Sequence, residues 1–141
     1  MSKPSFKQLN DGWNAEPNAP SEEVVVTGTT VRLIFFLNHM MYDAEEEEEG
    51  RIIFDHCSMW RLGSTNDHGW YAGQCRYSKD APAWGEFYEL LGKDDRRLEP
   101  TDWHKLATSA PDERHFLFYL RDNTFECFAT EWRFERGPSV E

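Results

Sequence analysis

The chain has 141 residues, a formal net charge of −11 and an aromatic fraction of 15%. A chain of that length folds most simply as one domain that builds its core without disulfide or metal staples. Its acidic field repels phosphate backbones and anionic lipid, which excludes nucleic acid and membrane surfaces as expected partners and steers a basic protein in instead.

Residues 1–22 carry Pro4, Pro17 and Pro20 together with Asn10-Asp11-Gly12, a density of turn residues that reads as an arm on the surface. Phe6, Leu9 and Trp13 are its candidate anchors, and their spacing also permits a short helix from a Ser5 cap to Asp11. A single β domain is expected over 23–136. It opens with a hairpin in which Glu23–Thr27 meets Thr30–Asn38 across Gly28-Thr29. Both faces of the second strand are mostly apolar, which predicts a central strand covered on both sides.

Asn38–Gly50 breaks the pattern. Asp43 precedes a run of five carboxylates, Glu45, Glu46, Glu47, Glu48 and Glu49, that repel one another and have nothing to bury, so a solvated loop is expected. Arg51–Leu62 is the longest strand candidate. Neither of its faces is cleanly polar, which predicts a bulge or bend near Asp55–Ser58. A turn-rich loop follows at 63–69, then an extended segment over 70–77. The spacing of Trp84–Leu91 fits a strand paired with 70–77; a two-turn helix opening on Trp-Gly is the competing reading. Thr101–Leu106 fits a capped helical turn or a short edge strand. The last hairpin is the strongest signal: His115–Leu120 leads into a turn at 121–124 and Phe125–Phe134 leads out, both rich in aromatic rings. Residues 137–141 read as a tail. The expected fold is all-β and mainly antiparallel, a single β-sandwich or small open barrel with at most one or two short helices.

Cys57, Cys75 and Cys127 form an odd set with no C-x-x-C spacing, as expected of reduced thiols in a cytoplasmic protein. The start of the chain has no apolar signal core, and no apolar run reaches membrane-spanning length. No glycine motif for nucleotides is present. Histidines and cysteines never fall at paired ligand spacing, so neither metal nor cofactor is expected. The cysteines sit in aromatic strands, where a thiol acts as a small apolar filler, and Glu86, Glu89, Glu126 and Glu131 read as an outward strand face. Absence of catalysis is the favoured reading of these residues.

Two functional readings remain. In the leading one the protein is a small acidic binding protein, inhibitor- or immunity-like, that takes a basic protein partner on Asp43 and Glu45–Glu49 and on an aromatic surface near Trp60, Trp70 and Trp84. Charge raises the encounter rate and aromatic anchors hold the complex. In the other, a small molecule occupies an aromatic pocket built from His56, Trp60, Asn66, Asp67, His68, Trp70, Tyr71, Trp84, Glu86 and Tyr88, with enzymatic use of that pocket left open. An aromatic patch that pairs two copies in a homodimer is the third option.

Overall fold

The computed structural model describes residues 5–64, 77, 80–92 and 100–137. Among them it assigns β1 (Ser5–Gln8), β2 (Glu23–Thr27), β3 (Thr30–Phe36), β4 (Glu49–Asp55), β5 (Met59–Ser64), β6 (Phe87–Leu91), β7 (His104–Lys105), β8 (Arg114–Tyr119), β9 (Asn123–Ala129) and β10 (Glu131–Gly137), and no helix. The strands form two antiparallel sheets, one in the order β1-β6-β8-β9-β5-β7 and the other β10-β4-β3-β2. The chain is an open β-sandwich. No helix among the described residues is long and apolar enough to cross a membrane.

The core follows from strand alternation. Val31, Leu33 and Phe35 of β3 and Ile52 and Phe54 of β4 face Phe87 of β6, Phe116 and Phe118 of β8, and Phe125 and Cys127 of β9. The β2–β3 hairpin lies where the sequence predicts it. Burial on β3, however, strictly alternates, so this strand is covered on one face where coverage of both was expected. The strands covered on both faces are β6, β8 and β9: Tyr88, Leu90, Leu117 and Tyr119 make a second cluster on the outer face of the larger sheet with Phe6, Tyr77, Ala81 and Trp84, and Thr124, Glu126 and Phe128 of β9 are buried on that same face.

Two expected long strands each divide between the sheets. Arg51–Leu62 splits into β4 and β5 at His56–Ser58, and Phe125–Phe134 splits into β9 and β10 at Thr130. The breaks lie side by side, since β4 pairs with β10 and β5 with β9. Register passes from Asp55↔Glu131 to Met59↔Phe128, so the β4–β5 side holds one extra residue, and His56 takes φ 54° there. The expected bend is thus the corner at which a two-stranded ribbon leaves one sheet and enters the other.

The segment before β2 is a strand and a core insertion, and the helix expected from Ser5 is absent. β1 pairs with β6, and the amide of Leu9 continues the ladder to the carbonyl of Phe87 (2.9 Å). Trp13 stacks on Phe134 (3.9 Å between centroids) and Phe35 (5.9 Å), and reaches Phe87 and Phe118 across the core, so it ties the two sheets together. Both edges of β6 are taken, by β1 and β8, which overturns the expected pairing of 84–91 with 70–77; apart from Tyr77, residues 70–77 lie outside the described residues. The 101–106 segment resolves to the edge strand β7.

Candidate functional site

The acidic run occupies the β3–β4 connection, and its ends are fixed before its middle reaches water. Leu37 pairs with Ala15, and its amide donates to the carbonyl of Glu48 (2.8 Å). Asn38 is buried, and its Oδ1 accepts from the amides of Met40 (3.1 Å) and Met41 (3.2 Å), closing a side-chain turn. Ala44 packs against the core, while the Glu48 side chain accepts the Glu45 amide at 3.0 Å. Arg136, near the end of β10, grips Glu48 through Nε (2.9 Å) and Nη2 (3.1 Å) and donates to the Asp43 carbonyl (2.6 Å). Between these ties project Met40, Met41, Asp43, Glu45, Glu46 and Glu47, all exposed; Glu48 and Glu49 are half-buried, the latter paired with Arg51.

The two methionines are the unusual members. Met40 is 80% and Met41 79% exposed, against 43% for Leu91 and 38% for Val26, the other large apolar side chains standing in water among the described residues. Single exposed apolar residues are ordinary, but two adjacent thioether chains in full solvent beside carboxylates form a small adaptable contact surface.

Arg136 sets the local electrostatics. Its hydrogen bonds, with help from the Glu45 backbone, hold the Glu48 carboxyl at about 2, against an ordinary 4.5. The depressed value means that this contact favours the folded loop above the ordinary carboxylate range and is lost as pH falls from about 4.5 to about 2. In an Arg136→Gln variant the Glu48 titration, followed by carboxyl carbon NMR, is expected to move up toward 4.5; a midpoint still near 2 would show that Arg136 does not close the loop.

Protein-family models, curated proteins and solved structures were compared with this chain. None matches.

The residues expected to line an aromatic pocket are only partly brought together. Trp60 packs against the inter-sheet core and stacks on His104 (4.4 Å), whereas Trp84 and Tyr88 join the cluster on the opposite face of the same sheet. His56 is exposed at the corner. Glu86 lies before β6 and accepts from Asn10 (2.6 Å), Gln8 (3.0 Å) and Asn14 (3.3 Å); burial pushes its carboxyl up while the Asn10 bond opposes that. Those bonds fasten the N-terminal segment to the sheet. Asn66, Asp67, His68, Trp70 and Tyr71 lie outside the described residues, as does Cys75. Cys57 and Cys127 are both buried, and burial, with the neighbouring Cys57 thiol, pushes the Cys127 thiol well above its ordinary range. Such a thiol is a poor nucleophile. Among the described residues, no group of three or more His, Cys, Asp or Glu is placed to hold a metal.

Two carboxylates expected on an outward face are buried. Glu89 is 6% exposed and bonded twice by Arg114 (2.7 and 2.9 Å). Glu126 is fully buried on the outer side of the larger sheet, 2.6 Å from Nε2 of His115 and 3.5 Å from Arg61, which also grips Asp102. The hairpin register carried the signal: with Tyr119 opposite Thr124, His115 and Glu126 fall diagonally on one face.

Proposed function

We propose that this chain is a non-catalytic cytoplasmic binding protein whose Met40–Glu47 loop engages a basic protein partner. The observation that carries the reading is the near-complete exposure of Met40 and Met41 on a loop tied down at Asn38, Ala44 and Glu48, with Asp43, Glu45, Glu46 and Glu47 around them. The net charge of −11 supplies long-range attraction for a cationic surface, and the methionines supply apolar contact once it arrives. Holding the loop in place before binding lowers the ordering cost of the complex. Enhanced encounter of this kind weakens as salt screens it, with a Debye length of about 8 Å at physiological ionic strength.

Selection from a displayed random-peptide library tests the reading. Enriched peptides are expected to combine Lys or Arg with bulky apolar residues. Their binding should fall on raising salt to about 0.5 M, in a Glu45→Gln/Glu46→Gln/Glu47→Gln variant, and in Met40→Ser/Met41→Ser. Enriched peptides indifferent to all three changes would remove the proposal.

A further inference from the structure

We infer that a cleft on the outer face of the six-stranded sheet, beside β7, binds a small organic anion with a flat apolar body, such as an aromatic carboxylate. This goes beyond the protein-binding loop, which belongs to the other sheet and carries the opposite charge.

The cleft has a volume of about 730 Å³, within the range that holds small ligands. Its floor is Ser58 and Met59, both buried, and the half-buried indole of Trp103. The indole packs on Phe128 with 5.3 Å between ring centroids at a 47° tilt, and the Arg61 guanidinium lies 5.9 Å from its centroid; these contacts hold the ring in place. The loop that forms one wall is held in place, because the carbonyl of Ser58 accepts the amides of Leu106 (2.7 Å) and Ala107 (3.2 Å).

Charge selects the ligand class. In a chain of −11, the one charged residue lining the cleft among the described residues is Lys105. Register opposite Met59 places Lys105 on the face that Met59 occupies. Among the described residues, the acidic groups flanking the cleft include Asp102, which an arginine balances, and Glu113, which keeps its charge and is held by a hydroxyl. Asp102 accepts two bonds from Arg61 (2.8 and 3.2 Å), which hold its carboxyl below the ordinary range. Glu113 accepts the Ser58 hydroxyl (2.7 Å). Lys105 has no acidic partner among the described residues. Thr108 and Ser109 add hydroxyl donors at the rim. A site with an indole and a methionine in its lining, hydroxyl donors and, among the described residues, a single ammonium suits an anionic head on a ring system.

The test uses two fluorescent probes of similar shape, anionic 8-anilinonaphthalene-1-sulfonate and uncharged N-phenyl-1-naphthylamine. The sulfonate is expected to saturate a single site. Lys105→Gln should weaken it about threefold, the size of a surface ion pair, and leave the uncharged probe unchanged. Ala107→Trp, at an exposed position on the cleft wall, should abolish both while the far-ultraviolet spectrum stays the same. Neutralising Glu45, Glu46 and Glu47 should leave sulfonate binding intact. Absence of saturable binding, sulfonate affinity unaffected by Lys105→Gln, or binding that survives Ala107→Trp would each overturn the inference.

Discussion

Replacing Phe54 by alanine is expected to destabilise the protein by about 3–5 kcal/mol, as large-to-small changes at fully buried rings do. Phe54 sits in β4 of the smaller sheet with no exposed surface, and its ring meets Phe116 at 5.2 Å, Phe125 at 5.4 Å and Phe87 at 6.0 Å. Those three rings belong to β8, β9 and β6, so one side chain joins the smaller sheet to the centre of the larger. The space left by its removal is bounded by backbone already fixed in two ladders, so collapse around it is limited. Domains of this size are stable by only about 5–15 kcal/mol, and the variant is expected to lose much of that. Urea unfolding followed by circular dichroism reads the change. Met41→Ala, at an exposed site, serves as the comparison and should fall within about 0.5 kcal/mol of the parent. A loss below about 1 kcal/mol for Phe54→Ala would mean that the sheets do not pack through this ring.

The second large effect is expected at His115. The fully buried Glu126 meets it there, Oε2 to Nε2 at 2.6 Å, while Arg61 lies at 3.5 Å. The imidazole also stacks on Phe128 at 4.4 Å. His115→Ala removes a bond to a buried carboxylate and the ring that covers it, and is expected to cost about 2–4 kcal/mol at neutral pH. His115→Gln keeps a donor and should recover part of the loss. Equal stability of the alanine variant and the parent would show that Glu126 draws its compensation from elsewhere.

Architecture was readable wherever local pattern and tertiary environment agree. Gly28-Thr29 between two runs of β-branched residues marks the β2–β3 hairpin, and the aromatic runs flanking Arg121-Asp122 mark β8–β9. Period-two alternation says which residues share a face; it does not say when a strand changes sheets. Asp55–Ser58 shows a confused pattern, and the bend is there; in Phe125–Phe134 the apolar positions shift from odd (Phe125, Cys127, Ala129) to even (Trp132, Phe134) across Thr130, a phase break that marks the second half of the corner. The N-terminal segment misled for another reason. Spacings of three and four among Phe6, Leu9 and Trp13 suit a helix, yet the free edge of β6 takes Ser5–Gln8 as a strand and the core takes Trp13. Tertiary demand outweighed a weak local preference.

The candidate site was legible in its charges and not in its anchors. A run of glutamates announces a loop from composition alone, whereas the exposure of Met40 and Met41 depends on Asn38 turning the chain, a contact between groups that sequence does not orient. The aromatic pocket misread the sheet instead: Trp60 and Trp84 look alike in sequence, but Trp60 on β5 and Trp84 in the turn before β6 pack on opposite faces. Aromatic content alone therefore could not separate core rings from ligand-facing ones.

Chemical-shift mapping of the ¹⁵N-labelled protein with a selected basic peptide tests the binding-loop account most directly. The account predicts that amides of residues 39–48 move first and furthest, and that the movement disappears when Glu45, Glu46 and Glu47 are neutralised. Shifts centred on the six-stranded sheet, with 39–48 unmoved, would contradict it.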